Sequence, residues 1–173
     1  GTWPNEPRGG NRIFMFAFDA ETGVLTPKGE LAPATPPPGE VISGLLNRFG
    51  NRNDRGPRHI ALHPTLPRIY TTDEQACSVT AYAIGDDGSL TELHSADTQP
   101  QDFPTGPPSR GAPSELAVHP SGRCLFAANR HIPDPLPGVP QTVACFPLDA
   151  EGNLGALSQL TTEHVPEALS MSP

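Results

Sequence analysis

The chain has 173 residues, 35% of them apolar, with 23 Pro and 17 Gly. That length suits one domain of ordinary size, and the Pro and Gly content excludes an architecture of long helices in favour of many turns. A net charge of −8 opposes general binding to nucleic acid or anionic lipid, and no apolar run approaches the ~20 residues needed to cross a bilayer.

The first predicted element is an alternating apolar strand from Arg12 that turns through Asp19-Ala-Glu-Thr-Gly23 and returns towards Leu31. A Pro-rich stretch over 32–56 follows, longer than an ordinary connection, and reads as a functional loop or as disorder. Four of the eleven basic residues (Arg48, Arg52, Arg55, Arg58) crowd in just before His59. They serve either as solvated loop charges or as local attraction for an anionic small molecule. Gly56-Pro57 then opens a short strand, Arg58 to His63-Pro64, and a second strand spans Arg68 to Glu74. A third begins at Ser78 and turns at Asp86-Asp87-Gly88.

The same order then repeats. Ser114 to His119-Pro120 matches Arg58 to Pro64, Cys124 to Arg130 matches Arg68 to Glu74, and Thr142 to Gly152 matches Ser78 to Gly88. His131 and the Pro-rich tract after it read as a loop on the same rim, and Pro166 to Pro173 opens a further copy. The turn glycines Gly23, Gly88 and Gly152 recur about 65 residues apart, and Asp/Glu-Gly text supplies the left-handed residue of a tight hairpin.

Four short antiparallel strands per unit predict an all-β fold built of β-propeller blades. The expected boundaries are the outer strands of an incomplete blade at 1–31, the loop at 32–56, blades at 57–110 and 113–165, and the start of another at 166–173. So few blades leave apolar faces open at both ends. The expectation is therefore a piece of a longer ring, with self-association through the open propeller edges as the lesser alternative. Cys77, Cys124 and Cys145 form no Cys-x-x-Cys pair; Cys124 and Cys145 read as buried thiols, and a reducing, cytoplasmic location is expected.

In such a unit, the start of strand one and the end of strand two are neighbours. This places Arg58 and His59 beside Asp73 and Glu74, and Glu115 beside Asn129 and Arg130, all on one rim. A histidine can accept a proton from water, and arginines can hold an anion and a developing oxyanion. A carboxylate beside the histidine would fix its tautomer. His63 and His119 read as turn residues. His59 and His63 have a helical metal-ligand spacing, but a strand would hold them ~13 Å apart, so no metal is expected.

Gly56-Pro-Arg-His-Ile-Ala-Leu-His-Pro64, Ile69-Tyr-Thr-Thr-Asp-Glu74 and Ser114-Glu-Leu-Ala-Val-His-Pro-Ser-Gly-Arg-Cys-Leu-Phe-Ala-Ala-Asn-Arg130 together resemble the lactonase family of seven-bladed β-propellers. That family includes propeller-type 6-phosphogluconolactonases and fungal carboxymuconate-cyclising enzymes. The resemblance implies a lactone hydrolase acting on an anionic sugar lactone without a cofactor, and carries over to Arg58, His59, Glu74, Glu115 and Arg130. His59, Glu115 and Arg130 would be catalytic, and Arg58, Glu74, Asp73 and Asn129 would bind substrate. The family's usual Asn-Glu ending is here Asp73-Glu74, which adds a negative charge. Lys28 is the only lysine, so any phosphate grip rests on arginine. The rival readings are a carboxymuconate-lactonising enzyme and a non-catalytic propeller that binds a ligand or protein. The expected partner is a small anionic lactone or carboxylate, with neither nucleic acid nor membrane.

Overall fold

A computed structural model describes residues 13–31, 55–74, 76–99, 110–132, 141–164, 166 and 168–171. The predicted loop up to residue 54, with Arg48 and Arg52, and the tract at 133–140 lie outside the described residues. Among the described residues ten strands form and no helix is found. Strands β1 (Ile13–Phe18) and β2 (Leu25–Leu31) make an antiparallel pair. Strands β3 (Pro57–Leu62), β4 (Arg68–Asp73), β5 (Ser78–Ile84) and β6 (Leu90–Asp97) form one four-stranded sheet in sequence order. Strands β7 (Arg110–Val118), β8 (Cys124–Ile132), β9 (Gln141–Pro147) and β10 (Ser158–Thr162) form a second of the same design.

The hairpins form where the repeat pattern places them. Gly23, Gly88 and Gly152 have φ of 73°, 81° and 80°, the left-handed region that only glycine enters at little cost. Two details differ from the sequence reading. Strand β7 starts at Arg110, earlier than expected, and β8 runs through His131, which pairs with Gly111 in the ladder rather than opening a loop.

The core lies between the two larger sheets. Tyr70, Val79 and Ala81 of the first meet Leu116, Leu125, Ala127, Ala144 and Phe146 of the second, all buried. Alanines at 81, 127 and 144 let the sheets approach while Tyr70 and Phe146 fill the remaining space. Ile69, on the opposite face of β4 from Tyr70, packs with Tyr82 and with Ile13 of β1. Strand β4 is thus covered on both faces, whereas β6 at the outer edge alternates between half-buried and exposed positions.

Polar clamps cross the same interface. The Tyr70 hydroxyl donates to the Gly152 carbonyl at 2.7 Å and Arg68 Nε to the Glu151 carbonyl at 3.0 Å. Burial pushes the Tyr70 hydroxyl up to about 12, so it remains a neutral donor. His63 Nδ1 accepts the Thr65 and Leu66 N–H groups, which puts its proton on Nε2, and Nε2 donates to the Gly122 carbonyl at 2.9 Å. His63 is therefore both the predicted turn residue and a tie between sheets.

Candidate active site

The two sheets present matching strand entrances side by side, and each carries the same defect. In the first, Pro57 pairs with Asp73 but Ile60 with Thr71. In the second, Pro113 pairs with Asn129 but Leu116 with Ala127. Three steps along the first strand match two along its neighbour, so each entrance holds a one-residue β-bulge, at Arg58-His59 and at Ser114-Glu115. Bulges break the pleat locally and re-aim side chains. His59 and Glu115 consequently occupy the same position of successive repeats, and they meet: His59 Nδ1 lies 3.0 Å from Glu115 Oε1.

A carboxylate is acceptor-only, so Nδ1 carries the proton, leaving Nε2 of the neutral ring as an acceptor. Glu115 is held in turn, because its Oε1 also accepts the Leu116 N–H at 3.0 Å. The His59 side chain keeps 38% of its surface exposed, enough for water or a small ligand to reach it.

Glu74 organises the second half of the cluster. Its Oε1 accepts from Arg58 Nη1 of the same sheet at 2.8 Å and from Arg130 Nη2 of the next at 2.7 Å. With neutral His59, two guanidiniums and two carboxylates balance. The arginines' charge is thus countered at rest, yet both stand at the same mouth, partly open to solvent.

The structure brings Arg58, His59, Glu74, Glu115 and Arg130 together and places the other two named residues elsewhere. Asp73 is fully buried: Thr71 Oγ1 at 3.1 Å, Ser78 Oγ at 2.9 Å and Thr80 Oγ1 donate to its carboxylate. Burial raises its carboxyl above the ordinary 3.8, against the hydroxyl bonds and the charge of Arg55. The extra negative charge expected near the site therefore sits inside the blade. Asn129, at the matching position, is also fully buried and donates from Nδ2 to the Thr98 carbonyl at 2.8 Å and to Thr142 Oγ1 at 3.2 Å. Of the predicted arginine cluster, Arg55 turns into the first sheet, with Nη1 2.8 Å from Glu92 and 3.1 Å from Thr80.

Four-stranded antiparallel sheets packed face to face, each with its strands in sequence order, are successive blades of a β-propeller. The chain belongs to the lactonase family of seven-bladed β-propellers, whose family model matches residues 9–173. Among its relatives, the 6-phosphogluconolactonase of Cronobacter sakazakii is 32% identical over 121 residues, which is 69% of this chain and 30% of that protein. That of Erwinia tasmaniensis is 27% identical over 143 residues, or 83% and 34% of the two chains. The chain thus spans about a third of the length of the curated relatives it matches. The solved periplasmic gluconolactonase of Pseudomonas aeruginosa superposes with a TM-score of 0.62 at 19% identity, over 90% of this chain and 36% of that one. A Lactobacillus plantarum protein gives 0.64 at 18%, over 88% and 36%. At such identities the solved structures show the shared fold.

Proposed function

We propose that the whole protein hydrolyses the ring ester of an anionic sugar lactone, with 6-phosphogluconolactone as the leading substrate. The observation that carries this reading is the His59–Glu115 pair beside two arginines that share Glu74. Glu115 holds His59 so that Nε2 accepts a proton from water, and the resulting hydroxide attacks the lactone carbonyl carbon. Arg130 and Arg58 stabilise the oxyanion and the substrate's anionic group. The ring C–O bond then breaks, and the proton on Nε2 passes to the departing ring oxygen, giving the open hydroxy acid. The relatives named 6-phosphogluconolactonase support this substrate class.

Cytoplasmic action is part of the same proposal. It is supported by the free thiols of Cys124 and Cys145, which are half-buried rather than buried as expected. Fractionation of cells carrying the whole protein checks it.

The decisive assay measures ring opening of 6-phosphogluconolactone, alongside cyclisation of carboxymuconate, by the whole protein and its His59→Ala variant. Loss of a general base lowers kcat by roughly 10²–10⁴-fold. Wild-type hydrolysis that His59→Ala leaves untouched, or activity on the muconate alone, would sink the proposal.

A further inference from the structure

The bulge at Arg58-His59 takes the His59 N–H out of the regular ladder between β3 and β4. An N–H stripped of its ladder partner inside a sheet needs another acceptor. Thr72 supplies it. It stands opposite the bulge, between Thr71 and Asp73 in the register, it is fully buried, and its Oγ1 lies 3.1 Å from His59 N. The second sheet has different groups at the matching place. There the opposing residue is Ala128, which has no hydroxyl, and the Ser114 Oγ lies 3.2 Å from the Ala128 carbonyl while Glu115 takes the Leu116 N–H. Thr72 is thus specific to the repeat that carries the histidine.

We infer that Thr72 is a positioning residue for His59: its hydroxyl locks the bulge and so fixes where the imidazole meets Glu115. His59 is held at two points, its main chain by β4 of its own sheet and its ring by Glu115 of the next. Losing the first lets the bulge relax or migrate along β3, and the ring shifts relative to Glu115 while its chemistry is unchanged. The catalytic consequence rests on the hydrolase reading above; the geometric one does not.

The test compares Thr72→Val, which keeps the shape and removes the acceptor, with Thr72→Ser, which restores it. Thr71→Val serves as a control, because Thr71 is equally buried but its hydroxyl serves Asp73. In the whole protein, Thr72→Val should speed hydrogen exchange at the His59 amide by roughly two- to tenfold, the range a net hydrogen bond corresponds to. It should also move the His59 imidazole resonances, with Thr72→Ser returning both towards wild type and Thr71→Val leaving them in place. In the whole protein, Thr72→Val should lower kcat by about ten- to a hundredfold with little change in KM, again with rescue by Thr72→Ser.

If Thr72→Val leaves the His59 signals as in wild type, or if Thr71→Val changes them equally, the inference is overturned. Should Thr72→Val fail to fold, Thr72→Ala and the Ser rescue decide the question by the same His59 signals. If those signals respond as expected while no variant affects lactone turnover, the positioning stands and the hydrolase reading fails.

Discussion

Replacing Glu74 by Gln removes the one negative charge that both Arg58 and Arg130 share. Their Nη atoms lie 2.8 and 2.7 Å from the same oxygen, so they are at most 5.5 Å apart. Without the carboxylate, two like charges face one another across the interface between sheets. At 5.5 Å their repulsion is about 0.8 kcal/mol at the dielectric of water and about 3 kcal/mol at an effective dielectric of ~20. Arg58 and Glu74 are about a third exposed and Arg130 about a fifth, which places the expected loss of stability near 1–2 kcal/mol. Urea unfolding followed by far-UV circular dichroism measures it. In 1 M NaCl the Debye length falls to ~3 Å, shorter than the separation, so the gap between variant and wild type should narrow. Added phosphate should stabilise the variant more than wild type, because an anion can take the place that Glu74 held. A loss below about 0.5 kcal/mol that neither salt nor phosphate changes would refute the view that Glu74 holds the two arginines in a balanced pair.

Gly122 has φ +72° and an added Cβ would stand 2.6 Å from His63 Cε1. Gly122→Ala should therefore cost about 2–4 kcal/mol, combining left-handed strain with loss of the His63 bond. In a His63→Ala background only the strain remains, so strictly additive unfolding energies would contradict the clamp. Tyr70→Phe leaves the buried Gly152 carbonyl without its 2.7 Å donor and should cost about 1–3 kcal/mol by the same urea titration; no change would show that water replaces the bond. The Asp73 carboxyl is raised by burial, so the folded chain binds the extra proton between the ordinary value near 3.8 and its raised value. Its contribution is greatest below 3.8 and is lost as pH rises through the raised value. Asp73→Asn should accordingly gain stability relative to wild type as pH climbs through that window and then level off. If Asp73→Asn instead lost stability relative to wild type as pH rose through that window, the shift would be the opposite one.

The strands and their repeat were legible because glycine turns and His-Pro endings punctuate the chain at nearly equal intervals. The cluster was legible in part. Asp73 and Asn129 joined the expected site because each precedes a residue of the surface cluster, Glu74 or Arg130. Yet side chains alternate across a sheet, so neighbours on one strand face opposite ways, and period-two reasoning carried to the strand ends would have separated them. Arg55 belonged to a basic run on paper, but only the fold shows Glu92 waiting for it in β6. Thr72 escaped notice for a deeper reason. A bulge is a mismatch between the lengths of two paired strands, and neither strand's own pattern records it.

His59 and Glu115 sit at one address in consecutive copies of the same unit, so a single backbone position carries an imidazole in one sheet and a carboxylate in the next. Exchanging the tetrapeptides Pro57–Ile60 and Pro113–Leu116 would then rebuild the dyad with its polarity reversed between the sheets, while Arg58 would move away from Glu74. The exchange would also set the imidazole opposite Ala128, away from Thr72, and would trade the buried Leu116 for an isoleucine, so the scaffold registers it as well.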